Sequence, residues 1–307
     1  MIYTLGETVF DIVFRNMNPI TAKVGGSALN TAVSLAHLGA SVSFVSEMGT
    51  DTVGKHCKEF LKQQGVNTSY ISTHSTHPTS LALAFLNQTN DAQYQFYKQL
   101  PKLFNCKPLQ ITHKDIVLFS SSFAISERTR ESLLQILYTA QLQKSLIVYD
   151  PNIRSQVHAR STEMNYIEEN FSKCHIVRAS DEDCAAIFGH TNTVRIYKAL
   201  QSKGVQICII TKNSKTVELF TPTFVSEFDV PEIIPVSTIG AGDTFNAGII
   251  YALYKYGITY DTLNSTPLSF WNSAIHFAIA CATTVCMSLD NYIDKQNTRK
   301  LLSIIEH

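Results

Sequence analysis

From Ile116 onward the chain alternates short apolar runs with stretches of polar or helical pattern, and no other feature restricts its fold as much. The runs Ile116–Ser120, 146–149 and 207–211 have the length of buried strands, and each feeds a polar or helix-patterned segment. Alternation of this kind predicts an α/β fold, a mostly parallel sheet with helices on both faces. Ligands of such sheets sit beyond the carboxyl ends of the strands, so the polar residues there carry the functional information. The 307 residues contain no linker rich in Pro, Ser or Gly, which predicts one unit over 1–307. Charged residues make up 16% of the chain, against about 25% in typical domains, which fits a large buried core.

Acidic and basic residues balance to a formal net charge of zero, so whole-chain electrostatics offer neither nucleic acid nor an anionic membrane as partner. The first charge is Glu7 and the first basic residue Arg15, so the start has no basic leader region. No run of about 18 apolar residues is present, and the expectation is a soluble cytoplasmic protein. Seven cysteines without a C-x-x-C pair argue against a disulfide framework and a zinc site. Cys208 and Cys281 lie in apolar runs and read as small buried hydrophobes.

Residues 237–248 read S-T-I-G-A-G-D-T-F-N-A-G, followed by apolar residues at helical spacing. A helix starting here presents N–H groups without intrahelical acceptors and the positive end of its dipole, a place where anions settle. Gly240 and Gly242 carry no side chain to block that end, and Gly tolerates the dihedrals of a tight turn. A carboxylate inside a phosphate cradle repels phosphate unless it has a chemical task. For Asp243 that task is taking a proton from a hydroxyl that attacks a phosphoryl group. A plain helix cap is the alternative for the same residues, and both readings stand at this point.

A second glycine pair, Gly25 and Gly26, opens the stretch V-G-G-S-A-L-N-T-A over 24–32, where small apolar residues form a stripe that ends at Gly39. The sequence G-T-D-T-V-G-K-H at 49–56 spells most of a phosphate-binding P-loop but lacks the closing Ser or Thr that ligates magnesium, and reads as a strand-to-helix turn. Two extended runs, at 80–86 and 93–98, flank a polar turn and predict a hairpin.

The motifs at 237–248 and 24–32 together resemble the two signatures of the PfkB (ribokinase-like) family of carbohydrate kinases, D-T-T-G-A-G-D and G-G-x-x-x-N-x-A, and the resemblance runs from the start to about residue 287. It implies a ribokinase-like three-layer sandwich with a small β lid formed by about 9–24 and 80–100. Within it, the amides of Gly240, Ala241 and Gly242 would hold the transferring phosphoryl group and Asp243 would be the base. Asp11, Gly25, Gly26 and Asn30 match the family's sugar-binding positions, and Lys98 stands where related sugar kinases often have an Arg; on the residues alone Asp11 also reads as a solvent-facing strand residue and Lys98 as an exposed hairpin lysine. The element D-P-N-I-R at 150–154 puts Arg154 towards sugar or phosphate, while Asp150 and Asn152 also read as turn formers. Ser180 and Asp183 match the family's N-x-x-E or S-x-x-E, whose last residue organises magnesium-bound water, and also fit an N-cap and first turn. Thr211 and Asn213 lie where the family turns over its nucleotide, without the usual glycines. Ser237 replaces an Asp that helps organise a monovalent-cation site, so the resemblance carries the base over and leaves potassium open.

The resemblance implies transfer of the ATP γ-phosphoryl group, with magnesium, to a primary hydroxyl of a small sugar, and a homodimer joined through the lid. Fructose is the first choice, because the A-L-N, D-P-N-I-R and V-R-A-S-D-E-D stretches look most like fructokinase-type members. A 2-keto-3-deoxygluconate or ribose kinase is the alternative within the enzyme class. A catalytically silent sugar or nucleotide sensor is the alternative outside it.

Overall fold

In the computed structural model, which describes residues 1–87, 92–153 and 161–305, two sheets grow out of the amino-terminal segment. β1 (Ile2–Leu5) is followed at once by β2 (Val9–Arg15) and β3 (Asn18–Gly25), then by α1 (Ser27–His37), β4 (Val42–Gly49), α2 (Thr52–Gln63) and β5 (Ile71–His74). The predicted hairpin is β6 (Leu81–Leu86) with β7 (Ala92–Tyr97). Strands and helices then alternate through β8 (Ile116–Ser120), α3 (Glu127–Leu142), β9 (Leu146–Asp150), α4 (Thr162–Phe171), β10 (Ile176–Ser180), α5 (Asp181–Phe188), α6 (Thr193–Ser202) and β11 (Ile207–Lys212). Last come β12 (Thr216–Phe220), β13 (Val225–Asp229), α7 (Ala241–Lys255), α8 (Leu268–Cys286) and α9 (Lys295–Ile305).

The large sheet runs in the order β13, β12, β11, β10, β9, β8, β1, β4, β5. It is parallel from β11 to β5, with β12 and β13 antiparallel at one edge. Alternation along its strands divides the core in two. Ile116, Leu118 and Val148 face a cluster built with α1, α2, α7, α8 and α9. Val117, Phe119 and Tyr149 face another built with α3, α4, α5 and α6. The result is the ribokinase-like α/β sandwich: helices, sheet, helices. The small sheet, in the order β3, β2, β6, β7, leaves the large one at the carboxyl end of β1, which is where a parallel sheet places its ligands.

Helices α7 and α8 pack closely because Gly248 has no side chain. A Cβ there would come within 2.6 Å of the Ala278 backbone, so close helix contact offsets the roughly 1 kcal/mol that Gly costs in a helix interior. Helix α8 is long and apolar enough to cross a membrane by length and composition alone, a stretch that counting uninterrupted apolar residues passes over. Its Trp271, Ile275, Phe277 and Cys281 are fully buried in the core beside α7. The P-loop look-alike is a capped turn. Asp51 accepts the N–H of Gly54 at 2.7 Å and that of Thr79 at 2.8 Å, binding the start of α2 to the segment that leads into β6.

One buried histidine makes the fold sensitive to acid. The Nδ1 of His175 accepts the Ile147 N–H at 3.1 Å, and the backbone N–H of His175 donates to the Ile147 carbonyl at 2.9 Å, so ring and backbone together join the entry of β10 to β9. Burial pulls its pKa down from 6.5 to about 4. A folded-state pKa below the unfolded value means that the unfolded chain binds the extra proton first. Stability is therefore full above pH 6.5 and is lost as pH falls towards 4, by about 3 kcal/mol in total. Urea unfolding at pH 7 and pH 4.5 should show the stability gap between the wild type and His175→Gln narrowing by about 2 kcal/mol or more in acid. A gap independent of pH would show that the ring is not held neutral.

Candidate active site

Helix α7 begins where Gly240 adopts φ 84°, a left-handed conformation that favours glycine. The space a Cβ would fill at Gly240 is already taken by the Asn291 carbonyl. Gly242 has ordinary helical dihedrals, and its bareness serves a different neighbour: a Cβ there would lie 2.8 Å from Nη1 of Arg178. Both glycines thus make room for parts of the protein itself. The Ala241 N–H makes a long bond of 3.3 Å to the Thr238 carbonyl. No backbone acceptor for the N–H groups of Gly240 and Gly242 occurs among the described residues.

Asp243, in the first turn of α7, is buried and gripped by α1. Ser27 Oγ donates to its Oδ1 at 2.6 Å, Asn30 Nδ2 donates to its Oδ2 at 2.8 Å, and Thr31 Oγ1 donates to its backbone carbonyl at 2.9 Å. Asn30 must turn its amide nitrogen to the carboxylate, so its Oδ1 faces away, buried and with no partner among the described residues. Asn30 and Asp243 line one cleft of about 490 Å3 together with Asp11, Gly26, Lys98 and Gly240. The glycine pair admits other groups to that cleft. Gly25 leaves the space occupied by an Asp11 carboxylate oxygen, and Gly26, at φ 128°, leaves that of the Glu7 carbonyl. Lys98 is not an exposed hairpin lysine: its Nζ is bonded to Glu7 Oε1 at 2.7 Å. Arg154 lies outside the described residues.

Beneath the start of α7, the ends of three strands carry a network that crosses the sheet. Arg178 on β10 donates to Asp150 Oδ2 on β9 at 3.1 Å and to Thr211 Oγ1 on β11 at 2.7 Å, with its Nε buried and without a partner among the described residues. Asn246 on α7 donates to the same Asp150 oxygen. Complete burial holds the Asp150 carboxyl above the usual carboxylate range, with the Arg178 charge pulling the other way and Asp183 and Asp243 adding to the rise. Asp150 is thus a buried hub, while Asn152, at φ 43°, makes the turn. Asp183 and Ser180 form a capping box at the start of α5, and the Asp183 carboxylate accepts from Ile153 N at 2.6 Å and from Ser180 N and Oγ at 2.7 Å each. Three of its roughly four acceptor positions are therefore filled. Asn213, at φ 50°, is an exposed residue of the turn between β11 and β12 and does not line the cleft. Ser237 Oγ accepts the Ile239 N–H at 3.2 Å, bending the approach to Gly240.

Among the described residues, no three His, Cys, Asp or Glu side chains converge to hold a metal ion. A magnesium ion bound with nucleotide phosphates does not need such a cluster, since phosphate oxygens and water supply most of its ligands. Ser27, Asn246, Arg178 and Glu7 were missed as site residues from the sequence. Arg178 alone carried a signal there, as a charge inside a strand of buried length.

The profile of the pfkB family carbohydrate kinases matches residues 3–293. A probable fructokinase-5 of Arabidopsis thaliana is 26% identical over 302 residues, covering 93% of this chain and 91% of its own. Among solved structures, a fructokinase of Vibrio cholerae O395 with fructose, ADP and calcium ion bound superposes with a TM-score of 0.85 at 17% identity, covering 99% of this chain and 98% of its own. The aminoimidazole riboside kinase of Salmonella enterica, complexed with its riboside and an ATP analogue, gives 0.81 at 19% identity, covering 99% of both chains.

The packing of Gly242 on Arg178 fixes the sign of one substitution. Gly→Ala in a helical turn of ordinary φ normally stabilises. Here the guanidinium, held by Asp150 and Thr211, has to shift, so Gly242→Ala should destabilise by about 1–3 kcal/mol in urea unfolding. Stabilisation would show that the guanidinium moves freely.

Proposed function

Because the chain belongs to the pfkB family of carbohydrate kinases, we propose that its cleft takes a small neutral sugar, fructose foremost, and that Asp243 deprotonates the primary hydroxyl that receives the γ-phosphoryl group of ATP. The hydroxyl oxygen forms a bond to phosphorus as the bond from phosphorus to the β,γ-bridging oxygen breaks. The proton passes to Asp243, and ADP leaves. One observation carries this reading: a carboxylate at the amino end of a helix opens into a cleft while Ser27 and Asn30 hold both its oxygens. Those bonds fix the orientation in which it would meet a hydroxyl. The Gly240 and Gly242 amides and the dipole of α7 would meet the charge on the transferring group. Magnesium would supply charge neutralisation of the phosphates, with the remaining acceptor position of Asp183 reached through water.

The fructokinase relatives support fructose. Among the described lining residues, Glu7, Asp11, Glu163 and Asp243 stand against the single cation Lys98, which disfavours the acid sugar 2-keto-3-deoxygluconate. Asp11 suits sugar hydroxyls, ribose included. A silent sensor has no use for an oriented base, which sets that alternative aside. The small sheet would be the lid, and its exposed Met17 and Tyr97 favour pairing of two copies through it. Seven free cysteines suit the reducing cytoplasm.

Coupled ADP release with fructose should fall by about 10²–10⁴-fold in Asp243→Asn, with the KM for ATP little changed. Turnover near the wild-type rate would remove Asp243 as the base.

A further inference from the structure

Glu7 has no part in the chemistry above, yet three separate pieces of chain fix its position. It sits between β1 and β2, and its carbonyl occupies the space left by the missing Cβ of Gly26. Its Oε1 accepts from Lys98 Nζ, just beyond β7, at 2.7 Å and from Ser122 Oγ, just beyond β8, at 2.8 Å. Lys98 Nζ is itself held 3.3 Å from Ser122 Oγ and 4.7 Å above the Phe96 ring. All four residues line the cleft that contains Asp243. Oε2 of Glu7 has no bond among the described residues, so a carboxylate anchored by one oxygen presents its other to the cleft's contents.

We propose that Glu7 is a specificity-determining residue: a second sugar-binding carboxylate beside Asp11, accepting hydroxyl hydrogens of a neutral polyhydroxyl substrate and repelling substrates that carry a carboxylate or phosphate. Lys98 acts through it. With its ammonium bonded to Glu7 and held over the Phe96 ring, the lysine keeps the carboxylate aimed and is no longer a receptor for an anionic substrate. This rests on the reading that the cleft takes a sugar.

The test uses the full-length chain and three variants, Glu7→Gln, Lys98→Met and the double variant, with fructose and 2-keto-3-deoxygluconate. Sugar binding is measured by calorimetry and turnover by ADP release. In Glu7→Gln the Kd and KM for fructose should rise about tenfold or more, while the KM for ATP and the thermal midpoint stay within error. The preference for fructose over the acid sugar should shrink by about the same factor. Lys98→Met should weaken fructose less in the Glu7→Gln background than in the wild type, as expected of a residue that works through Glu7. Unchanged fructose binding in Glu7→Gln overturns the proposal while leaving the kinase reading intact. Binding without turnover in the wild type, weakened by Glu7→Gln, would sink the kinase reading and keep this one. Absence of sugar binding in the wild type would remove both.

Discussion

Two helix starts meet at one carboxylate. Ser27 is the first residue of α1 and Asp243 lies in the first turn of α7, and the bond between their side chains joins the beginning of the chain to its last third. Each helix contributes the positive end of its dipole and N–H groups that lack helical partners. A buried carboxylate left unpaired is costly, and here two donors and two dipoles stabilise it in place. Much of the remaining structure keeps these two ends together. Gly248 lets α7 lie tightly on α8, Asn246 ties α7 down to Asp150, and Thr31 holds the backbone at Asp243.

Arg178 links that junction to the sheet. It spans three strands, from Asp150 on β9 to Thr211 on β11, and its guanidinium lies against Gly242 and over the ring of Phe245. A buried pair such as Arg178 and Asp150 is weak evidence of net stability, because desolvation offsets its attraction. Its geometric effect is plainer: the planar guanidinium fixes how close α7 comes to the strand ends. The amides of the first turn are thereby placed with respect to the carboxylate that follows them.

The local parts of this arrangement were legible in the sequence. A Gly-x-Gly-Asp run before a helical pattern announces a helix start with a carboxylate in its first turn, and alternation after Ile116 announces the parallel sheet. What each glycine makes room for was not legible. Gly240 faces the Asn291 carbonyl, Gly242 faces Arg178, and Gly25 and Gly26 face Asp11 and Glu7, partners set by tertiary packing and not by spacing. Asp150 read as a turn former and is one, accepting the Asn152 N–H on Oδ1, but it is a buried hub as well, because the β9 register carries it under α7, a fact of strand order. Asn30 was read as a sugar ligand from the family resemblance. The structure gives its nitrogen to Asp243 and leaves its oxygen buried.

If α1 acts by orienting Asp243, the loss of Ser27 should matter only while the carboxylate is present. The direct measurement is a double-mutant cycle on single-turnover phosphoryl transfer, comparing Ser27→Ala in the wild-type and Asp243→Asn backgrounds. The account predicts about a tenfold slowing in the first and a change of less than about twofold in the second. Equal slowing in both backgrounds would contradict it, because Ser27 would then act independently of the carboxylate it touches.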